Sequence, residues 1–448
     1  MLIHKINPKN TVFVLLSFEG PDKYSLVGGL GIRMTELSAV LAENGYKTHL
    51  FFVGDPYAEH ESYLAGENLC IHRWCQWLSS EWPGGVYDGE DKKIADWNRT
   101  IPEYVASEIV KPSAQKGLLT VIMGEDWHTG ESMVLLDKTL RRKNLRDHSI
   151  IFWNVNNEYG LWRLNLKEIV QRCTVTTVSK FMVKRLKIFH NINSIAIPNG
   201  IPRRIIGEVD TGKKKLLQRC FDGVILQKTA RYDTDKAWLP AISAIAILKS
   251  RGMKPHLLMR GGSQQHRSDI ICKIIELGLR YVTISLKYPS FDSIIEAFHQ
   301  YGHFDIIEMD FFIPEDFLMY LYGASDIVLA NSTYEPFGIV GLEVMAKGGL
   351  PVVGNTGEDY ALHNKNALRV KSDDPLELAD MISDVFMNPL LTKNIKSSGM
   401  KTAKVFTWDR ALGILVHRIE RVLNECNIPR AGVKDSDTGE VLLEKKHY

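Results

Sequence analysis

The chain is poor in the features that mark secreted, membrane-spanning or nucleic-acid-binding proteins. Six cysteines are scattered through 448 residues with no Cys-x-x-Cys, so neither a disulfide framework nor a zinc site is indicated by spacing. No uninterrupted apolar stretch reaches the ~18 residues of a membrane helix, and the first apolar run, residues 11–18, is too short and poorly flanked for a signal peptide. A cytoplasmic, reduced protein is expected. The formal net charge is only +2, which leaves no global case for nucleic acid; Arg141-Arg142-Lys143 and Lys213-Lys214-Lys215 read as solvated faces. Solenoid-period repeats and low-complexity tracts are also missing.

What the chain does have is length for two cores and a repeated strand–turn–helix grammar. At 448 residues it exceeds what one hydrophobic core usually serves. Short apolar strands are predicted at 12–16, 47–53, 118–123, 150–153, 173–178 and 195–197, with helices at 32–44 and 179–189. A second series has strands at 224–230, 256–259, 281–286, 305–308, 326–329 and 351–354 and a helix at 237–249. Three helices, 375–387, 389–405 and 408–424, close it. Pro198-Asn199-Gly200-Ile201-Pro202 and the polar stretch 207–215 between the series read as a linker. The pattern is α/β, doubly wound, with residues 1–200 and 201–407 as two Rossmann-like domains, 408–427 as a final helix and 428–448 as a flexible tail.

The densest information lies at 332–355, STYEPFGIVGLEVMAKGGLPVVGN. Glu335 sits in a turn punctuated by Pro336 and Gly338, and Glu343 follows eight residues later on the helix that begins near Gly338. The N–H groups from Phe337 through Val340 would face outward at the positive end of that helix, which suits an anion. Carboxylates beside them would accept hydrogen bonds from a hydroxyl-rich ligand. An ordinary strand–helix–strand unit would carry the same spacing with both glutamates solvated.

Three further groups belong to strand ends. Gly28-Gly29-Leu30-Gly31 opens the first long helix and permits close backbone approach of a ligand or simply a tight turn; Met34 stands where a dinucleotide fingerprint needs glycine. Arg231 and Lys236 flank Tyr232-Asp233-Thr234-Asp235 after the first strand of the second series, where they would neutralise a diphosphate, or form a surface pair. Arg260-Gly261-Gly262-Ser263 ends a neighbouring strand. Asn331, Ser332 and Thr333, and likewise Thr356 and Gly357, also fall at strand ends.

Glu335-Pro-Phe-Gly338, Leu342-Glu343-Val-Met-Ala346 and Gly349-Leu-Pro351 closely resemble the donor motif of retaining GT-B glycosyltransferases of the glycogen-synthase and sucrose-synthase type, and the resemblance spans most of residues 11–425. It implies a GT-B fold, two domains facing a cleft with a last helix crossing back near Phe406-Thr-Trp408. It further implies transfer of a hexose, glucose first, from a nucleotide sugar such as UDP-glucose or ADP-glucose to a hydroxyl acceptor. No cofactor or metal is implied, and the Asp233-x-Asp235 pair is read as a turn. By the same resemblance Arg231 and Lys236 stabilise the leaving diphosphate, Glu335 and the Phe337-Gly338 backbone hold the sugar, and Glu343 holds the ribose. Gly28, Gly29, Gly31, Arg260, Gly261, Ser332, Ile339 and Thr356 line the donor crevice.

Departures gather on the acceptor side. Leu26 replaces a lysine before the glycine pair, Glu125-Asp126-Trp127-His128-Thr129 has glutamate for a leading histidine, and Trp153-Asn-Val-Asn-Asn157-Glu158 lacks another. Asn154, Asn156, Asn157 and Glu158 are candidates for sugar hydroxyls, with Glu158 on the reactive face and Asn156 beside it, or members of a self-capped polar loop. Asp126 is either a ligand residue or the cap of the next helix. A noncatalytic nucleotide-sugar-binding regulator with the same fold is the alternative these departures leave open. A lipid-directed transferase would need a basic, apolar first-domain surface, and membrane association is otherwise not indicated. Base, hexose, acceptor and oligomeric state are not readable.

Overall fold

The computed structural model describes residues 5–261 and 266–427. Gly262, Ser263 and the expected tail at 428–448 lie outside the described residues. The strands, in chain order, are β1 (Thr11–Leu16), β2 (Lys47–Val53), β3 (Glu61–Leu64), β4 (Leu69–Trp74), β5 (Leu119–Glu125), β6 (Ser149–Val155), β7 (Thr174–Thr177), β8 (Ile195–Ala196), β9 (Val224–Thr229), β10 (Pro255–Arg260), β11 (Tyr281–Ile284), β12 (Ile306–Met309), β13 (Ile327–Ala330), β14 (Pro351–Val353) and β15 (Leu368–Arg369). They form two sheets, ordered β3-β4-β2-β1-β5-β6-β7-β8 and β11-β12-β10-β9-β13-β14-β15. All pairings are parallel except the edge hairpin β3–β4.

Parallel strands covered on both faces must be apolar throughout, and β1 is buried at all six positions. Helices supply the covers: Phe13, Leu15, Met34, Leu37 and Leu41 share one core, while Val12, Val14, Leu16, Trp97, Met133 and Leu140 share the other. Strand order reverses at β1/β5 and at β9/β13, which opens a crevice beyond the strand carboxyl ends in each domain.

The linker expectation needs correction. Residues Thr211–Gln218 are helical, started by the Asp210 carboxylate accepting from the Lys213 amide at 3.1 Å, and Leu217 is buried in the second domain. Lysine-rich composition concealed an amphipathic turn. Residues 61–64, 69–74 and the helix Glu90–Tyr104 were likewise not foreseen; β3 and β4 have mixed polar composition because β3 is a half-exposed edge.

The chain crosses between domains at Gly200-Ile201, where Ile201 pairs with Thr407. The helix Trp408–Asn427 then packs Trp408, Leu412, Leu415 and Ile419 into the first domain's core. Arg204 to Glu36 at 2.6 Å and the Lys180 amide to the Asp359 carboxylate at 2.6 Å also join the domains. Among the described residues no helix is long and apolar enough to cross a membrane.

Candidate active site

On the second domain the loops after β10, β9, β13 and β14 stand side by side because those strands are neighbours. The β9 loop is tied to the β13 loop by the Thr333 amide donating to the Asp235 carbonyl at 2.8 Å. This brings Lys236 Nζ to 2.9 Å from Glu335 Oε2 and 3.0 Å from Asp235 Oδ2. Burial opposes the charge on Lys236, but Glu335 and Asp235 outweigh it and hold the ammonium above the ordinary lysine range. Arg231 is exposed and paired with Asp233 at 3.1 Å. A cation fixed between carboxylates and a second, exposed one paired at the surface can give an anion two partners without burying either charge alone.

Behind Glu335 starts the helix Ile339–Ala346. Gly338 precedes it with φ 69°, and no side chain caps it, so its first N–H groups are free for an acceptor. Glycine is required there twice over, by the left-handed backbone and because a Cβ would lie 2.7 Å from Glu358 Oε1. The Glu343 carboxyl, on the same helix, has no hydrogen-bond or ion-pair partner among the described residues; burial, then Glu315, pushes it up to about 7. Ser332 and Phe337 are buried. The Thr356 hydroxyl accepts from the Glu335 amide at 3.0 Å and donates to Glu358 at 3.1 Å, so it orders the turn from within. Gly261 lies against the Tyr232 ring, where a Cβ would be 2.2 Å away, and Arg260 Nε reaches the Phe311 carbonyl at 3.5 Å.

The two carboxylates of Thr356-Gly-Glu-Asp359 turn away from the crevice: Glu358 is buried under Gly338, and Asp359 takes the Lys180 amide. A buried residue that spacing did not reveal is Lys228 on β9. Its ammonium donates to Asn331 Oδ1 at 2.7 Å, and burial followed by repulsion from Lys236 lowers it to about 7. Buried itself, it holds Asn331 in place at the end of β13.

The first domain differs most from expectation. Glu125, fully buried at the end of β5, accepts from Arg33 Nε at 3.1 Å and Nη2 at 3.3 Å, and from the amides of Asn154 and Asn156 at 2.8 Å each. Asn154 and Asn156 thus face inward rather than toward a sugar. Glu158 is claimed by Arg185, by His190 at 3.3 Å and by the Tyr334 hydroxyl at 3.3 Å, the last across the cleft from the second domain. Asp126 does not cap the helix Asp126–Arg142. The capping position is Glu125, Asp126 has φ 57°, and its carboxylate accepts from the Asn156 amide at 2.7 Å; burial pushes it up to about 7.

The amides of Gly28 and Gly31, expected to face a phosphate, donate instead to Glu19 Oε2 at 3.0 and 2.9 Å. The helix N-terminus already holds a carboxylate of its own chain, which is the same physics satisfied internally. Gly29 remains exposed, and a side chain there would meet nothing within 4 Å of its Cβ. Sequence spacing carried no signal for Glu19 or Arg33, since their partners come from other elements.

Two Rossmann-like domains facing a cleft, closed by a terminal helix that returns to the first, are the GT-B architecture. Residues 224–402 match the Glycosyl transferases group 1 family, and the second domain is a domain of that family. Sucrose-phosphate synthase from Thermosynechococcus elongatus superposes with a TM-score of 0.65 at 17% identity, covering 93% of this chain and 100% of that one. The catalytic domain of starch synthase IV from Arabidopsis thaliana, bound to ADP and acarbose, gives 0.64 at 17% identity over 92% and 99%. An uncharacterised glycosyltransferase of Methanocaldococcus jannaschii is 33% identical over 104 residues, 22% of this chain. The aligned stretches span only 26% and 41% of the two curated relatives matched.

Proposed function

We propose that the protein transfers a hexose, glucose as first choice, from a nucleotide-diphospho-sugar to a hydroxyl acceptor with retention of anomeric configuration. The observation that carries this is Lys236 held 2.9 Å from Glu335 beside the uncapped start of the Ile339–Ala346 helix. The anomeric C–O bond breaks with its electron pair going to the diphosphate. Arg231, Lys236 and the helix amides receive that charge. The acceptor oxygen bonds to the anomeric carbon on the same face and passes its proton to the departing phosphate oxygen. Glu335, once Lys236 turns to the diphosphate, is released to hold sugar hydroxyls; Glu343 takes the ribose diol. Domain closure limits hydrolysis by water. The ADP complex of the starch synthase neighbour supports a nucleotide in this crevice.

One arrangement favours the noncatalytic alternative: the Asn156 amide and the Glu158 carboxylate are both spent inside the protein, leaving the acceptor side without the groups expected to act there. Thermal unfolding with UDP, ADP, GDP and their glucose and mannose conjugates tests the donor site. Stabilisation by one nucleotide, abolished in Arg231→Ala/Lys236→Ala, is expected, and no stabilisation by any of them would defeat it. Turnover of the recognised donor, reduced about 10²–10³-fold in Glu335→Gln, separates transferase from regulator.

A further inference from the structure

The outer edge of the first sheet carries a second cluster, remote in the fold from the Lys236–Glu335 crevice. In the parallel pair β2–β4, His49 lies opposite Cys70 and Phe51 opposite His72. Alternate residues of a strand share a face, so His49, Cys70 and His72 converge on one side of the sheet. The antiparallel pair β3–β4 adds Glu61 opposite His72.

The ligating atoms of His49, Cys70 and His72 all lie within 4.8 Å of one another, and Cys70 and His72 are buried. Glu61 Oε1 stands 2.9 Å from His72 Nδ1 and also receives the Tyr104 hydroxyl at 3.2 Å. A carboxylate only accepts, so Nδ1 carries the proton and Nε2 is the nitrogen with a free lone pair. That Nε2 is the atom turned inward, 2.9 Å from His49 Nδ1. Phe51, stacked 4.1 Å from the His72 ring, fixes its plane. A carboxylate behind a histidine that presents its other nitrogen to a neighbouring thiol and imidazole is the outer-shell pattern of metal-binding histidines.

We infer that His49, Cys70 and His72 bind one Zn²⁺ or a similar borderline divalent ion, oriented by Glu61 and completed by solvent at half-exposed His49. A thiolate with two imidazoles selects this class over Mg²⁺ or Ca²⁺. In the free protein the His49 Nδ1–H donates to His72 Nε2. Binding moves that proton to His49 Nε2, leaving both inward nitrogens as ligands, and the Cys70 thiol loses one proton to solvent as sulfur bonds the ion. The ion then ties β2 to β4 beside the edge strand β3.

Titration of chelator-treated full-length protein with Co²⁺ tests this through the thiolate-to-cobalt charge-transfer absorption. Expected is one such site per chain, bleached by Zn²⁺, absent in Cys70→Ala and at least tenfold weaker in His49→Gln, whose half-exposed position spares the fold. Cys272→Ser, at an exposed cysteine, should bind as wild type. No thiolate absorption in the wild type, or absorption that disappears with Cys272 rather than Cys70, overturns the inference, as does undiminished binding by His49→Gln.

Discussion

Replacing Glu125 with glutamine should destabilise the first domain severely, although nothing about its size changes. Glu125 accepts four hydrogen bonds, two from Arg33 and one each from Asn154 and Asn156. Glutamine keeps one acceptor oxygen and turns an NH₂ toward groups that are themselves donors. Arg33, with 2% of its side chain exposed, keeps Asn199 but loses one of its two bonds to residue 125 and the only negative charge paired with it. Breaking a buried ion pair from one side costs about 3–5 kcal/mol, which for a domain of this size is on the order of 10 °C in melting temperature. Differential scanning calorimetry and urea unfolding read it directly. Arg33→Met alone should also be costly, while Arg33→Met/Glu125→Gln should lose less than the sum, because neither charge is then orphaned. A shift below about 2 °C in Glu125→Gln, or a double variant that loses the full sum, would refute the reading of this cluster as one coupled unit.

Two further outcomes follow from buried groups and close packing. Burial, with repulsion from Glu335, pushes Glu358 up to about 7 from 4.5, so its neutral form contributes stability that is present below pH 4.5 and lost as pH rises through 7. Glu358→Gln should remove about 2.5 kcal/mol of the decline between pH 5 and pH 8, measured by urea unfolding at both; an unchanged decline contradicts the assignment. A Cβ on Gly200 would lie 2.3 Å from the Trp408 amide nitrogen and 2.4 Å from the Thr407 carbonyl carbon. Gly200→Ala should therefore cost about 1–3 kcal/mol, whereas Gly28→Ala, with nothing within 4 Å, should stay within about 0.5 kcal/mol. Equal effects of the two would show that the crossing is not tightly packed.

Short apolar strands, glycines before helices and two successive strand–helix series were enough to fix the α/β class and the two-domain plan, because a parallel sheet buried on both faces leaves no other composition open to its strands. The Glu335–Ile339 turn was legible for a similar reason. Its residues are consecutive, and Gly338 occupies a backbone conformation that a branched residue would not accept. Lys236 and Glu335 lie 99 positions apart, yet both fall at the carboxyl ends of neighbouring strands, and doubly wound topology brings such ends together.

Side-chain direction was decided elsewhere. Whether Glu19 faced a ligand or its own helix, whether Asn156 faced a sugar or Glu125, and whether Glu158 was free depended on Gly28, Arg33, Arg185 and Tyr334, which arrive from other elements. The same holds for His49, Cys70 and His72, whose spacing excluded any familiar metal motif. Strand register alone sets His49 against Cys70. Local sequence determines which backbone conformations are affordable, but the partners that satisfy a buried charge are chosen only when distant strands and helices meet.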